Sequence, residues 1–336
     1  MKPSIKKISE LTGFSPATVS NALNQKRGVN HETAAEILRA AKELGYYATA
    51  KSKRITLIIH KHNGVIIDDT PFFPLLISGI EKECRLHQYE LNICTLDKRD
   101  PDFADQVNAV LNSPVSGIIL LGTELMDGEL DIYSQRRCPL MTLDYWDEQM
   151  RYNGVLINNE DSVKMAVEYL IRCGHREIGH LRGAFRIKAF EAREKSYQYT
   201  LAENNVPIDS RYTFTLSPTI NGAYKDMRKL LASSPKLPTA FFADNDVIAI
   251  GSIRALQECG YHVPDDVSVI GFDNLPFSEI LSPRLTTIQV FKQDMGQIAV
   301  KMMIEELTTG LEIKTKTQVS TKFIPGNSVK NLSEKL

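Results

Sequence analysis

The sequence predicts an all-α headpiece followed by a two-lobed α/β domain whose parallel sheets are covered by helices on both faces. In residues 1–46 apolar side chains recur at helical spacing, whereas from Ile55 onward continuous apolar runs alternate with amphipathic stretches. Charge divides the chain at the same place, because residues 1–54 carry a net charge of +6 and the remainder −7. A small basic domain on an acidic body is expected when only the small domain touches nucleic acid.

Three short helices are predicted in the headpiece. The first has apolar residues at a spacing of three, Ile5, Ile8 and Leu11, and ends at a turn formed by Gly13. The second begins at Ser15-Pro16, because a serine hydroxyl caps free N–H groups and proline fits the first helical position, and it runs to Leu23. Asn30 caps the third, whose inner stripe is Ala34, Ile37, Leu38, Ala41 and Leu44.

This order of helices is typical of a helix-turn-helix, in which the second helix enters the major groove of DNA. Its outward residues are Pro16, Ala17 and Asn21. Hydroxyls and basic side chains near the helix ends are suited to phosphates, and they are Ser15, Thr18, Ser20, Asn24 and Lys26 or Arg27. The pattern alone also fits a three-helix bundle that binds another protein.

The body reads as two successive sets of strands and helices. The first set predicts strands at 55–60, 91–96, 117–122, 139–145 and 154–158, with helices at 72–87, 103–111 and 124–136. The second predicts strands at 177–181, 212–216, 239–243 and 267–272, with helices at 162–173, 188–204, 223–232, 247–259 and, later, 293–306. Two sheets of about five or six strands predict two lobes with a ligand cleft between them.

Composition and motifs exclude several classes of protein. No apolar run approaches the roughly 20 residues of a membrane span, and no apolar segment follows the basic N-terminus, so we expect a cytoplasmic protein without a secretory signal. The five cysteines are dispersed, which indicates reduced thiols: Cys84, Cys94, Cys138, Cys173 and Cys259. Phosphate-binding loops, metal motifs and paired catalytic carboxylates are missing, so we expect no enzyme, cofactor or metal.

The identities of the headpiece residues are more informative than their helical spacing. Residues 2–25 read KPSIKKISELTGFSPATVSNALNQ, and the third helix closes with the residues ELGY at 43–46. The segment resembles the DNA-binding headpiece of the lactose/galactose repressor family. The resemblance implies base reading by Pro16, Ala17 and Asn21, of which asparagine is best suited to hydrogen-bond a base. It implies phosphate contacts by Ser4, Ser15, Thr18, Ser20, Asn24, Asn30 and Thr33.

The linker, residues 47–54, departs from that family. Family members usually have several more residues here, including a leucine that is inserted into the minor groove, and this linker has no leucine. We therefore expect no leucine wedge and less kinking of the DNA. Two roles stay open for Lys51, Lys53 and Arg54: phosphate contact, or a solvated tether.

The body also resembles the effector-binding core of the same family, which is similar in fold to periplasmic sugar-binding proteins. Matching stretches include residues 174–179, 243–246 and 285–288, and VPDDVSVIGFDN at 263–274 is the most specific. In that fold the chain crosses between lobes three times, here near Asn158, Ile288 and Ile313. The implied division is a headpiece at 1–46, a linker at 47–54, a first lobe at 55–157 and 289–312, a second lobe at 158–288 and 313–325, and a disordered tail at 326–336.

A polyol ligand needs a bidentate donor and carboxylate or amide acceptors, which Arg193, Asp273 and Asn245 would supply. The resemblance places these three where the family contacts its effector. The full set of expected ligand contacts is Phe72, Phe73, Glu124, Trp146, Arg193, Asn245, Asp246, Asp273 and Phe291. Capping of the following helix is an alternative role for Asp246, and Asp144 stays open as a further contact.

These expectations combine into a ligand-responsive, sequence-specific transcription regulator: a homodimer that represses a carbohydrate-utilisation operon and binds double-stranded operator DNA. The family favours a sugar as the effector. Arg193 with Asp273 also fits an amino acid, a nucleobase or a sugar phosphate, although the carboxylate disfavours a phosphorylated ligand. The alternatives are a solute-binding or sensor protein without regulated operator binding, and an α/β enzyme acting on sugars.

Overall fold

The computed structural model describes residues 4–23, 29–44, 53–68, 70–136, 138–310 and 312–333. The headpiece has three helices in these ranges: α1 (Ile5–Thr12), α2 (Pro16–Leu23) and α3 (His31–Glu43). The predicted turn at Gly13 is confirmed, because its φ of 74° is a left-handed conformation that glycine adopts without strain. Asn30 caps α3 as predicted, since its Oδ1 accepts the N–H of Thr33 at 2.8 Å.

The headpiece core joins all three helices, and its fully buried members are Ile8, Val19, Ala22, Ile37, Ala40 and Ala41. The expectation for Leu11 was wrong, since 58% of this residue is exposed. Residues at a spacing of three drift by about 60° around a helix at each step. With Ile8 at the centre of the contact and Ile5 packed on one flank, Leu11 projects from the other.

The first lobe is built on a six-stranded parallel sheet within the described residues, in the order β11-β5-β4-β3-β1-β2. Its strands are β1 (Arg54–Lys61), β2 (Glu90–Asp97), β3 (Gly117–Leu121), β4 (Leu140–Leu143), β5 (Asn153–Ile157) and β11 (Lys316–Val319). Its helices are α4 (Phe72–Leu86), α5 (Phe103–Asn112) and α11 (Lys292–Thr309). Strand β3 is apolar and buried along its whole length, and β1 is buried at all but its two end residues, as expected of parallel strands covered on both faces.

The second lobe has a four-stranded parallel sheet in the order β7-β6-β8-β9 and a two-stranded antiparallel ribbon, counted over the described ranges. The strands are β6 (Ile178–Gly183), β7 (Thr213–Leu216), β8 (Ala240–Ala243), β9 (Ser268–Ile270), β10 (Thr287–Val290) and β12 (Thr321–Ile324). The helices are α6 (Asn159–Arg172), α7 (Lys188–Glu203), α8 (Ile220–Leu231), α9 (Asp246–Glu258) and α10 (Pro276–Ile280). The predicted fold class is confirmed.

The last crossing between lobes differs from the expected position near Ile313. Strand β11 pairs in parallel with β5 of the first lobe, and β12 pairs antiparallel with β10. The chain therefore changes lobe at Ser320, between these two strands. A sequence of two adjacent short strands does not reveal that they belong to different sheets.

The terminal segment is ordered through residue 333, contrary to the disorder expected for 326–336. Ser328 is fully buried, and its Oγ donates to the carbonyl oxygen of Val269 at 2.6 Å. The carbonyl oxygen of Lys330 lies 3.0 Å from Nε2 of His175, and the N–H of Leu332 donates to Cys173. This part of the expected tail packs on the second lobe.

The helix expected over 124–136 is replaced by a short 3₁₀ helix, Glu129–Tyr133. Gly128, at φ 81°, breaks the helical path, and the carboxylate of Glu129 accepts the N–H of Met126 at 2.9 Å. Backbone hydrogen bonds between residues three apart, such as that from the N–H of Glu129 to the carbonyl oxygen of Met126, take the place of α-helical ones here. Among the described residues, no helix has the length and apolar character that a membrane crossing needs.

Candidate functional sites

Helix α2 presents the surface on which DNA contacts were predicted. Because Val19 and Ala22 are buried, the opposite side of the helix is free, with Pro16 and Ala17 exposed and Asn21 half-buried. Ser15 caps the helix: its Oγ accepts the N–H of Thr18 at 3.1 Å and lies 2.9 Å from the hydroxyl oxygen of Thr18.

The remaining predicted DNA contacts lie at helix starts or beside α2. Those that are exposed are Ser4, Ser15 and Asn30, and those that are half-buried are Thr18, Ser20 and Thr33. Ser4, Ser15 and Asn30 each accept a backbone N–H at the start of a helix. Predictions for Asn24, Lys26, Arg27 and linker residues 47–52 fall outside the described residues.

A cleft opens where the carboxyl ends of the strands of the two lobes face each other, the usual place for a ligand in α/β folds. It holds about 350 Å³ of empty space, part of it open to solvent. Both lobes line it, through Ile66, Thr70, Phe72, Phe73, Thr123, Asp144, Ile157, Ile187, Ala189, Phe190, Arg193, Asn245 and Asp273.

Arg193 is the central polar group of this cleft. Helix α7 carries it, and its guanidinium stacks 3.7 Å from the ring centroid of Phe272. Nε donates to Oδ1 of Asn159 at 2.8 Å, and Nη1 donates to the carbonyl oxygen of Asp244. These contacts fix the plane of the guanidinium, and its Nη2 lies 3.7 Å from Oδ1 of Asp273.

Asp273 follows β9 and offers an unused acceptor. Its Oδ1 lies 3.7 Å from Nη2 of Arg193, is buried, and accepts no hydrogen bond from the described residues. Burial raises the pKa of Asp273, against the opposing charges of Arg193 and Lys292. The backbone of Asp273 has a φ of 115°. The ammonium of Lys292 donates to the carbonyl oxygen of this residue. The loop is thereby fixed with a carboxylate oxygen left for a ligand.

Asn245 lies at the end of β8 and has two roles. Its Oδ1 caps α9 by accepting the N–H of Ile248 at 3.1 Å. The amide nitrogen remains as a donor on the side of the cleft. A helix cap fixes the side chain in one rotamer, which favours a precise contact with a ligand.

The first lobe adds Asp144, which follows β4. Its Oδ2 accepts the hydroxyl of Thr123 at 2.7 Å. Burial raises the pKa of Asp144 to about 6, although the Thr123 hydrogen bond and the Arg193 charge oppose this shift. Asp144 and Asp273 therefore face Arg193 from opposite lobes.

Apolar side chains form the rest of the wall. Phe72 and Phe73 open α4 and meet edge to face, with ring centroids 5.2 Å apart. Both are buried and both line the cleft, whereas a division between them, with one ring in the pocket and one in the core, was expected. Phe190 approaches from the other lobe. The cleft thus combines apolar faces with a few oriented polar groups, as small-molecule sites do.

Two acidic residues expected to contact the ligand do not line the cleft, because their oxygens are already used. Glu124 is fully buried and accepts five backbone N–H groups of the loop after β1. Asp246 accepts from the N–H of Leu275 and the hydroxyls of Ser278 and Thr287 at 2.6–2.8 Å. Burial and the charge of Asp273 raise the pKa of Asp246 to about 7.

Trp146 and Phe291 also lie away from the cleft lining. The ammonium of Lys316 lies 5.5 Å from the ring centroid of Trp146, on the first lobe. Phe291 occupies the cap position of α11, and its carbonyl oxygen accepts the N–H of Met295 at 2.9 Å. Neither aromatic ring is among the residues that face the cleft.

Several residues that line the cleft were not predicted from the sequence. They are Ile66, Thr70, Thr123, Ile157, Ile187, Ala189 and Phe190, and Asp144 was only one of two possibilities, a contact or not. Thr123 and Asp144 come just after strands β3 and β4. Position after a strand end was therefore the signal that could have found them, because such residues meet at one edge of a parallel sheet.

A buried network supports the polar groups from behind. The carboxylate of Asp244 accepts hydrogen bonds from Nε2 of His180 at 2.8 Å, from the N–H of Gly183 at 2.9 Å and from Nη1 of Arg186 at 2.6 Å. Burial would raise the pKa of Asp244, but the charges and hydrogen bonds of His180 and Arg186 hold it below the usual range. Because Asp244 precedes Asn245 and its carbonyl binds Arg193, this network fixes two ligand-facing groups at once.

Two protein families match the chain. Residues 4–48 match the family described as "Bacterial regulatory proteins, lacI family", and residues 167–329 match "Periplasmic binding protein-like domain". These ranges contain the helix-turn-helix and most of the second lobe. The matches agree with the expectation that the chain is a regulatory protein and not an enzyme.

Related proteins align along nearly the whole chain. The HTH-type transcriptional repressor PurR of Mannheimia succiniciproducens is 29% identical over 333 residues, which cover 98% of this chain and 99% of that protein. A structure of the transcriptional regulator CelR–cellobiose complex has a TM-score of 0.74 at 22% identity, covering 97% of this chain and 99% of that one. The lac repressor dimer bound to operator and the anti-inducer ONPF has a TM-score of 0.73 at 21% identity, covering 98% and 100%.

Proposed function

Since the chain belongs to the lacI family of bacterial regulatory proteins, we propose that it is a cytoplasmic transcriptional repressor whose affinity for operator DNA is set by a small molecule in the interlobe cleft. The observation that carries the proposal is the preformed polar set of the cleft. Arg193 is held by Phe272, Asn159 and Asp244, and Oδ1 of Asp273, which accepts no hydrogen bond from the described residues, lies beside it.

The charged and apolar groups that line the cleft favour a neutral polyol, and we propose a sugar. Two carboxylates, Asp144 and Asp273, line the cleft beside Arg193, so an anionic ligand such as a sugar phosphate would bring its charge close to both of them. Carboxylate oxygens and the Arg193 fork are suited to vicinal hydroxyls, while Phe72 and Phe73 are suited to the C–H face of a sugar ring. The CelR regulator, which is similar in fold, was solved in complex with cellobiose.

The headpiece supplies the operator contacts in this proposal. Asn21 is placed for direct readout of a base, beside the exposed Pro16 and Ala17. The hydroxyls of Ser4, Ser15 and Thr18 lie at the starts of α1 and α2, where phosphates are bound most readily. Substitution of Asn21 should relax the preference for one base at one operator position more than it weakens phosphate binding.

We propose a homodimer as the DNA-binding unit. Large apolar side chains are exposed on both lobes, at Leu86 and Ile93 of the first and at Phe277 and Ile280 of the second. Exposed apolar groups of this size are typical of surfaces that bind another protein. Two headpieces on one dimer would read a pseudo-palindromic operator, and the operator-bound lac repressor dimer is consistent with this arrangement.

The proposal is tested by binding full-length protein to genomic DNA fragments at near-physiological salt, with pooled sugars present or absent. Selective binding that one pool weakens is the expected result. Binding that requires a pool would indicate a corepressor, and a response to nucleobases or amino acids in place of sugars would reassign the effector class. Binding that is non-selective under every condition would contradict the proposal and favour a sensor protein without regulated operator binding.

A further inference from the structure

The loop that follows β1 is folded around a single buried carboxylate. Five of its backbone N–H groups donate to Glu124 at 2.7–3.1 Å: those of His62, Asn63 and Gly64 to Oε2, and those of Ile66 and Ile67 to Oε1. Successive N–H groups of this kind form a concave anion site. Here the protein's own side chain occupies it, so the conformation of the loop depends on Glu124.

The same loop reaches the cleft and the opposite lobe. Ile66 lines the cleft. The ring of His62 stacks on Phe185 of the second lobe, with centroids 5.7 Å apart and planes 23° from parallel. Phe185 lies just before α7, the helix that carries Arg193. Glu124 thus supports, through one loop, a wall of the cleft and a contact between the lobes.

Other contacts of the loop do not involve the five N–H groups that Glu124 accepts. Within the loop, the N–H of Val65 donates to Oδ1 of Asn63 at 3.0 Å, and the N–H of Asp68 donates to the carbonyl oxygen of Gly64 at 2.9 Å. Nδ1 of His62 is 2.8 Å from Oε1 of Glu129, and Lys61 pairs with Asp68, which is half exposed. Gly64 has a φ of +73°, and a Cβ there would collide with the carboxylate of Asp68. Glycine is therefore the residue that fits this position, because it adopts the left-handed backbone conformation without strain.

We propose that Glu124 is a positioning residue of the effector site: it preorganises loop 62–67 so that an effector meets Ile66 and the His62–Phe185 contact already in place. This inference rests on the proposed function and deepens it. Without Glu124, binding would have to order the loop, and each residue fixed at that moment weakens affinity. Glu124 itself does not touch the effector.

The test compares Glu124→Gln with wild type in the full-length protein. Glutamine has one acceptor oxygen, and its amide N–H₂ would face backbone N–H donors, so about half of the five hydrogen bonds are lost. Glu306→Gln is the matched control. Glu306 is another largely buried carboxylate of the first lobe, but it binds Asn153 and Lys314. Glu124→Asp, which keeps the charge on a shorter side chain, serves as the milder variant if glutamine prevents folding.

Two measurements are made on each variant. Amide hydrogen exchange without ligand should be about tenfold faster at 62–67 in Glu124→Gln, and also faster in the segment around Phe185 of the other lobe, while Glu306→Gln matches wild type. Calorimetry with the compound identified from the sugar pools should show about tenfold weaker binding for Glu124→Gln and unchanged binding for the control.

Unchanged exchange at 62–67 would overturn the proposal, and so would a loosened loop with effector affinity within about twofold of wild type. A compound that binds wild type is needed only for the calorimetry. If no compound binds, the proposed function fails by itself, and exchange around Phe185 then decides the inference: an unaltered second lobe overturns it, and faster exchange there supports it.

Discussion

At the scale of single residues, the cleft depends on how Arg193 is held. The guanidinium is planar, stacks on Phe272 and donates to two fixed oxygens, so its remaining donors have a defined direction. A lysine would keep the charge but lose both the stacking and the fork. The contribution of Arg193 is therefore geometric as well as electrostatic, which distinguishes it from a buried counter-ion for Asp273.

We predict that Arg193→Lys weakens effector binding by about ten- to a hundredfold, because one oriented charge-assisted donor pair is lost. Arg182→Lys is the control, since Arg182 lies on the same lobe and pairs with Glu194 outside the cleft lining. Titration calorimetry measures both variants. Equal affinity of Arg193→Lys and wild type would exclude Arg193 as a ligand contact.

The raised pKa of Asp144 predicts a pH-dependent stability. Folded Asp144 binds its proton more tightly than the unfolded chain, with a pKa of about 6 against 3.8. Its carboxylate therefore destabilises the fold above pH 6, and this cost disappears as the pH falls toward 4. Asp144→Asn should stabilise the ligand-free protein at pH 8 by on the order of 2 kcal/mol, with little difference at pH 4.

Thermal melting between pH 4 and 8 checks this prediction. Asp147→Asn is a control of opposite sign: burial alone would raise the pKa of Asp147, but hydrogen bonds from Arg151 lower it. That variant should be less stable than wild type at pH 8, with the difference shrinking at low pH. Lower stability of Asp144→Asn than of wild type at pH 8 would contradict the prediction. It would show that the Thr123 hydrogen bond and the Arg193 charge outweigh the cost of burying the Asp144 carboxylate.

The sequence located the cleft residues whose chemistry and strand position agree, namely Arg193, Asn245 and Asp273. It failed for Glu124 and Asp246, because a carboxylate after a strand or at a helix start looks the same whether its oxygens face a ligand or backbone N–H groups. The donors that occupy Glu124 come from residues 62–67, far away in sequence. Such pairing depends on the tertiary fold, which periodicity does not contain.

At the scale of secondary-structure elements, helix caps govern the headpiece. We predict that Asn30→Ala destabilises α3 by about 1 kcal/mol, since the N–H of Thr33 loses its acceptor. Amide exchange in α3 should then be about fivefold faster, whereas Asn30→Ser, which can still cap, should stay close to wild type. Exchange in Asn30→Ala as slow as in wild type would show that the cap does not support the helix.

Most elements agree with the periodic pattern to within a few residues, and the exceptions have local causes. The stretch 124–136 has helical composition, but Gly128 and the acceptor Glu129 divert its backbone. Leu11 matches a helical stripe in sequence, yet α1 offers its core contact mainly through Ile8. Neighbouring elements decide which side chains form hydrogen bonds and how many residues of a helix face are buried. The sequence of a single segment does not contain this information.

At the scale of the whole molecule, the alternation of strands and helices was enough to predict a headpiece and two lobes. It was not enough to place the third crossing, because β11 and β12 are consecutive four-residue strands in different sheets. The terminal residues through 333 also differ from expectation, since Ser328 and Lys330 bind backbone and side chains of the second lobe. These contacts join segments more than 50 residues apart, beyond the reach of local patterns.

The proposed regulation requires coupling between the cleft and the headpiece, and an effector changes DNA affinity only as far as it prefers one arrangement of the lobes. The cleft is lined by both lobes, so a ligand that bridges Asp144 and Asp273 has such a preference. The chain crosses between lobes three times, and every crossing must adapt when the cleft changes. Regulation is therefore a property of the whole molecule.

The most direct test is the affinity of the full-length protein for its operator fragment, measured with and without saturating effector, in wild type and in Arg193→Lys. We predict that the effector changes the operator Kd of wild type by about five- to 150-fold, and that Arg193→Lys keeps the effector-free Kd but loses the response. An operator Kd that stays the same while calorimetry shows effector bound, or an Arg193→Lys protein that responds like wild type, would contradict the account.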